Sequence, residues 1–335
     1  MFKKVLALVL VAIMGLSLAA CGTATTGNSN QTSVTTAINQ ATSAAGDKKG
    51  ITIGLAMAGI SSAYLKPVAD FAKQEADAKG VKLILMDAQW DAQKQADQIA
   101  NLMAQKVDAL ILNPVDAKSS LPSLKKLKDA NIPVVNLNMK VDDNSIDYVA
   151  TYVGASMQAE AEMAADMMAE ALGGKGNIVI IEGAPGSDAQ IYRTKSFQDQ
   201  LTAKYPDIKV LGIANGAWDR AKAMAAAEDL LTKYPNIDGI YTHDDNMTIG
   251  AIEAAKAAGR ADKIKFIGIG GSKAGIEAVK SGDMYGSVTQ PPDWEGSTSV
   301  DAAIDLVNGK EVKSWLRDPV EMIKKDNVDN FKGLW

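Results

Sequence analysis

From Gly50 onward the chain repeats one unit, a short run that is apolar throughout followed by a longer amphipathic stretch. The apolar runs cover residues 51–56, 82–86, 109–112 and 134–137, then 177–181, 209–213, 239–241, 265–269 and 286–288. The stretches between them include 63–78, 92–105, 119–130, 158–171, 189–204, 221–233 and 248–258, rich in the helix formers Ala, Leu, Met, Lys and Glu. Strands without a polar face, separated by helices, belong to parallel sheets covered on both sides. Pro or Gly stops the chain between helix and strand, as in Lys79-Gly80-Val81 and Ala130-Asn131-Ile132-Pro133. The alternation restarts near Gly154, so the expected fold is α/β with two doubly wound parallel-sheet lobes. Ligands of open α/β sheets bind beyond the carboxyl ends of the strands. Two such lobes facing each other make one cleft, lined by the residues that follow each strand.

The N-terminal residues have a different pattern. Lys3 and Lys4 precede an apolar run, residues 5–20, that is marginal for crossing a bilayer. It ends in Leu18-Ala19-Ala20-Cys21-Gly22, the small-residue pattern of a cleavage site. That ending resembles the lipobox of bacterial lipoproteins, which implies that Cys21 is acylated and becomes the first residue of the mature chain. Cys21 is the single cysteine, so its acylation leaves no thiol for a disulfide, a nucleophile or a metal site. Residues 22–48 are rich in Thr, Ser, Asn, Gln, Ala and Gly and cannot bury enough apolar surface to order themselves. The expectation is a signal peptide at 1–20, a flexible tether at 21–49, and an extracytoplasmic protein touching the membrane only through its lipid. Loss of Lys3 and Lys4 takes the formal charge from −5 to −7, and with no basic block the chain is a poor match for nucleic acid.

Nothing assembles into catalytic machinery, and neither cofactor nor metal is expected. Gly270-Gly271-Ser272-Lys273-Ala274 begins like a nucleophile elbow but ends in Ala where Gly is required. Gly268-Ile269-Gly270 opens like a dinucleotide loop whose third glycine is replaced by Lys273. His243 is the one histidine and cannot serve both a triad and a metal. Asp244 and Asp245 are neighbours whose side chains diverge instead of flanking a glycosidic bond.

Three stretches give the chain a family likeness. Val107-Asp108-Ala109-Leu110-Ile111-Leu112-Asn113-Pro114-Val115-Asp116, His243-Asp244-Asp245-Asn246-Met247-Thr248-Ile249-Gly250-Ala251, and Asp87-Ala88-Gln89 with Lys94-Gln95 make residues 50–321 resemble the ribose/galactose-type periplasmic binding proteins, or type I sugar receptors. The resemblance implies three crossovers between lobes, near Gly154, Gln290-Pro291 and Val320. The lobes would then be 50–154 with 291–320, and 155–290 with 321–335. It also implies a receptor that takes a small sugar to the permease of an ABC importer, working as a monomer. A receptor reporting to a membrane sensor is the other reading. A cytoplasmic repressor core would need a DNA-binding helix-turn-helix where the lipobox stands.

Site roles follow from the same resemblance. Arg193 stands where the family places a donor to sugar oxygens, Trp218 where a ring stacks on the sugar, and Asp244 where a side chain accepts from hydroxyls. Gln290 and Asn138 occupy further polar positions. Such groups suit a ligand whose buried hydroxyls must all be paired. Ser62 and Tyr64 in the first loop are further candidates, and Trp90 is either a second stacking ring or a packing residue. Asp245 is the better fit for a helix N-cap, leaving Asp244 to the ligand, and Asp116 reads as a cap. Trp294, Trp315 and Trp335 read as packing, and Met157 to Met168 as a core face. The family's Phe-Asp pair is here Ile269-Gly270, and Met139 replaces an arginine of ribose receptors. These departures predict a cleft widened beside Gly270, with a hexose, a polyol or a short saccharide preferred over ribose.

Overall fold

The computed structural model describes residues 50–335; the expected signal peptide, Cys21 and the tether lie outside the described residues. The first lobe begins with β1 (Thr52–Met57), α1 (Leu65–Ala78), β2 (Lys82–Asp87), α2 (Ala92–Ala104), β3 (Ala109–Leu112), α3 (Leu121–Asp129), β4 (Val134–Leu137) and β5 (Thr151–Gly154). The chain then crosses over. The second lobe has α4 (Met157–Leu172), β6 (Gly176–Glu182), α5 (Asp188–Lys204), β7 (Ile208–Asn215), α6 (Arg220–Lys233) and β8 (Gly239–Thr242). It continues with α7 (Asp245–Ala257), β9 (Lys265–Gly270), α8 (Lys273–Ser281) and β10 (Gly286–Thr289). A second crossover returns α9 (Pro292–Val307) and β11 (Trp315–Arg317) to the first lobe, and a third leads to β12 (Met322–Lys324) in the second.

The two six-stranded sheets run β11-β5-β4-β3-β1-β2 and β12-β10-β9-β8-β6-β7. Every pairing is parallel except that of β12 with β10. Leaving out the edge strands β11 and β12, the five remaining strands have the same order in both lobes, and each lobe has apolar packing on both faces of its sheet. The burial that the apolar runs imply is complete in the middle strands: all four residues of β3 and of β4 are buried.

The nine strands expected from the apolar runs lie within two residues of the observed ones. β5, β11 and β12 were not among them, being short and mixed in polarity. α9 was missed for a different reason. It carries Gly296, Ser297, Thr298 and Ser299, poor helix formers, but Gly296 lets α9 press onto α1: a Cβ there would stand 2.5 Å from the Val68 carbonyl oxygen. Close packing outweighs local propensity.

Helix caps fix the loops that face the other lobe. Asp91, Asp219 and Ser272 accept from the backbone N–H three residues on, as do Ser156 and Ser187. The cap of α7 is Asp244, whose carboxylate accepts from Met247 N at 2.6 Å. This corrects the assignment to Asp245, which is buried and instead accepts from Ser272 N and Ser287 Oγ. Asp116 accepts from Lys118 N and Ser119 N, capping the turn that leads into α3.

Candidate functional site

Between the lobes lies a cavity of at most about 430 Å³. All eight candidate residues line it: Ser62, Tyr64, Trp90 and Asn138 from the first lobe, Arg193, Trp218 and Asp244 from the second, and Gln290 at the crossover. Met139 and Ile269 also line it.

Trp90 and Trp218 owe their positions to backbone. Each ends a pair of residues in the left-handed region, Gln89-Trp90 with φ of 56° and 64°, and Ala217-Trp218 with φ of 49° and 62°. Such conformations are costly for side-chain-bearing residues, so local structure must hold them. In both cases the next residue, Asp91 or Asp219, caps the following helix. Each indole lies over a glycine. A Cβ at Gly59 would fall 2.3 Å from Trp90 Nε1, and one at Gly183 would fall 2.0 Å from Trp218 Cζ2. His243 reinforces the second seat: its Nδ1 accepts from Gly183 N at 3.2 Å, and its Nε2 lies 3.2 Å from Thr194 Oγ1. Burial, with Arg193 adding to it, holds this imidazole well below its usual pKa, so the ring is neutral with its proton on Nε2.

Arg193 projects from α5 and is 3% exposed. Its Nε and Nη2 donate to Glu160 Oε2 at 3.0 and 2.8 Å, Nη1 donates to the His243 carbonyl at 2.6 Å, and Nη2 also reaches Gln290 Oε1 at 3.2 Å. Asn138, at φ 59°, donates from Nδ2 to both oxygens of Glu295 at 3.1 and 2.9 Å. A polar relay thus runs from Glu160 through Arg193 and Gln290 toward Glu295 and Asn138, from one lobe to the other. Ser62 Oγ accepts from the Tyr64 and Leu65 amides at 3.3 Å, which commits it to starting α1.

Buried acids surround the polar groups that line the cleft, Asp244 among the lining and Glu160 and Glu295 bonded to it. Burial raises the Glu295 carboxyl to about 8 and, with Glu295 adding to it, the Asp318 carboxyl to about 10. Both Asp318 oxygens are buried without a hydrogen-bond partner. Burial also raises Asp244 to about 7, against the Met247 N–H, and pushes the Glu160 carboxyl up against the pull of Arg193. The Tyr64 hydroxyl stops short of a hydrogen bond, and burial together with the Glu295 carboxylate pushes its pKa well up. Among the described residues no group of three His, Cys, Asp or Glu could hold a metal ion, and no helix is long and apolar enough to cross a membrane.

Sequence reasoning missed two buried acids that brace lining residues, Glu160 on Arg193 and Glu295 on Asn138, and one residue of the lining itself. Glu160 lies on the buried stripe of α4 with Met157, Ala161, Ala164 and Met168, so a charge on an apolar face was the available signal. Glu295 shows the same signal on α9, between Pro292, Gly296 and Ser299. Trp335, read as a packing residue, does pack on the core of the first lobe and lines the cavity as well. The cleft is accordingly not open beside Gly270: a Cβ there would meet Trp335 Cζ2 at 2.4 Å. The widening predicted from the missing side chain is overturned because an indole from far along the chain occupies the space.

Comparison with known proteins agrees with this architecture. The profile of the periplasmic binding protein domain matches residues 53–311. A xylitol-binding protein of Mycolicibacterium smegmatis is 40% identical over 260 residues, 76% of this chain and 72% of that protein. A ribose import binding protein of Bacillus subtilis is 29% identical over 277 residues, 83% and 88% of the two chains. The crystal structure of an ABC transporter solute binding protein from Bacillus halodurans C-125 with bound myo-inositol superposes with a TM-score of 0.81 at 30% identity, covering 85% of this chain and 98% of that one. With two parallel-sheet lobes, three crossovers and a profile match across most of the described residues, the chain belongs to the periplasmic binding protein domain family.

Proposed function

We propose that this chain is an extracytoplasmic solute receptor that captures a small sugar or polyol between its lobes and delivers it to an ABC importer. The observation that carries the reading is the composition of one cavity: an indole from each lobe beside the polar groups of Arg193, Asn138, Asp244 and Gln290. Aromatic faces suit the C–H surfaces of a polyhydroxylated ligand, and the polar groups suit its hydroxyls. Xylitol, ribose and myo-inositol in the names of similar proteins point to the same ligand class. The open space between the lobes is at most about 430 Å³, solvent at its opening included, which favours a monosaccharide or polyol over an oligosaccharide.

The reading is of a binder and not an enzyme. The ionisable groups at the cavity are engaged in structure, Asp244 in a helix cap and Arg193 in its bonds to Glu160 and His243. In this reading residues 50–154 with 291–320, and 155–290 with 321–335, move as two bodies, and the receptor works as a monomer. The Leu18-Ala19-Ala20-Cys21-Gly22 pattern supports a signal peptide and a lipid anchor at Cys21, stable only with several acyl chains. Membrane fractionation of Cys21→Ser tests the anchor; unchanged processing and partitioning would refute it.

A thermal-shift screen against xylitol, D-ribose, myo-inositol, D-allose and D-arabinose tests the ligand class. A ligand bound by the folded state alone must raise its melting temperature. No shift with any polyol or sugar at millimolar concentration would sink the reading.

A further inference from the structure

Trp335 reaches the cleft from a stretch beyond the last strand. Its indole lies against Gly270 of the second lobe, and Nε1 faces the Gly270 carbonyl at 3.4 Å. The same ring meets Tyr64 of the first lobe edge-on, with centroids 5.3 Å apart and planes at 78°, and packs against that lobe's core. One side chain therefore touches both lobes at the mouth of the cavity.

The stretch that carries it is tied down at three points. Lys273 N donates to the Trp335 carbonyl at 2.8 Å. Gly333 presses on the Lys273 backbone so closely that a Cβ would stand 2.5 Å from its N and Cα. Phe331 packs on the core of the second lobe. Behind this strap lies a second cavity of at most about 370 Å³, lined by Pro291, Ile323, Phe331 and Leu334. Trp335 and Gln290 line both cavities, so the indole forms part of the partition between them.

We propose that Trp335 is a specificity-determining wall of the ligand cleft, seated by residues 331–335 acting as a strap. The inference rests on the reading of the cleft as a sugar or polyol site and deepens it. Gly270 and Trp335 work as a matched pair: the glycine leaves the place, and the indole fills it with an aromatic surface. A compact ligand then meets a closed apolar wall. Without the ring the ligand cleft and the cavity behind it would join, and the site would hold compact ligands poorly.

The test is calorimetric titration of wild type, Trp335→Ala, Trp335→Phe and Gly270→Ala with xylitol, D-ribose, myo-inositol and the disaccharide maltose. For the compact probe that wild type binds most tightly, Trp335→Ala is expected to weaken binding roughly tenfold or more. Trp335→Phe should stay within about threefold of wild type, an order-of-magnitude expectation for a retained ring. Gly270→Ala, whose Cβ would displace the indole, should follow Trp335→Ala, and maltose should gain relative to the compact probe in both. An unchanged affinity in Trp335→Ala overturns the proposal. Should wild type bind none of these probes and no member of the thermal-shift panel, the sugar reading fails, and amide exchange on the free protein still decides the strap. Trp335→Ala should then speed exchange at Lys273, and unchanged exchange there overturns the proposal as well.

Discussion

Two N–H groups of Arg193 converge on a single oxygen of Glu160, from Nε at 3.0 Å and Nη2 at 2.8 Å, where Glu160 is wholly buried and Arg193 nearly so. The other Glu160 oxygen is buried without a hydrogen-bond partner. Removing one member of such a pair leaves a buried charge alone, which costs far more than the intact pair contributes. Glu160→Ala should therefore lower unfolding stability by about 3–5 kcal/mol in urea titrations. A loss below about 1 kcal/mol, the scale of an exposed pair, would mean that water reaches the site.

Stability should fall as pH rises from about 5 to 9. Unfolded Asp and Glu titrate near 4, whereas burial places Asp244 at about 7, Glu295 at about 8 and Asp318 at about 10 in the folded state. Between those values the folded protein holds more protons than the unfolded one, so raising pH favours unfolding. Each such group contributes a slope of up to about 1.4 kcal/mol per pH unit within its window. Urea midpoints measured from pH 5 to 9 give the slope directly. Glu295→Gln and Asp318→Asn should flatten it, and an unchanged slope in both would remove these acids as its cause.

Gly183→Ala should impair ligand binding without touching the ligand. Its methyl group would strike the Trp218 ring, and the indole would have to leave its seat. Calorimetry is expected to show affinity falling for Gly183→Ala and for Trp218→Ala, the latter by about 2 kcal/mol or more, as for buried aromatic anchors at binding centres. Ser62→Ala should cost binding less, since Ser62 Oγ already serves the Tyr64 and Leu65 amides. Equal losses at positions 62 and 218 would contradict this ranking.

Ligand should compact the molecule. The cavity takes lining from both lobes, so a ligand contacting both favours their approach over any open arrangement. Small-angle scattering with a saturating ligand from the thermal-shift screen should show a smaller radius of gyration than the free protein. An unchanged radius would argue against a moving hinge.

Most of the fold was legible because parallel strands buried on both faces read as uniformly apolar runs, and β3 and β4 are the plainest cases. α9 was not, because its stability comes from Gly296 meeting α1, a contact between residues more than two hundred positions apart. The same division holds at the site. Residues that follow strands, such as Asn138 and Trp218, could be placed by topology alone. Trp335 could not, because it enters from a strap after the last strand, and neither could Glu295, which reaches Asn138 from a helix on the first lobe. The cap at Asp244 was misplaced by one residue: Asp244 is extended, at φ −148° and ψ 163°, and Asp245 already opens the helix.

Trp90 and Trp218 carry the same five-residue signature, Trp90-Asp91-Ala92-Gln93-Lys94 and Trp218-Asp219-Arg220-Ala221-Lys222, with tryptophan, aspartate and lysine in register. Each sits on a glycine, at the matching turn of its lobe. A flat ring surface senses the C–H groups of a ligand but makes no directional bond to its hydroxyls. In the proposed site, two such surfaces supplied by a repeated turn would therefore separate epimers less sharply than directional donors and acceptors do. The finer stereochemical discrimination would fall to groups with no counterpart under that repeat, Arg193 with its Glu160 brace and Gln290 at the crossover. Substitutions at those positions would then redirect the protein among isomers of one size.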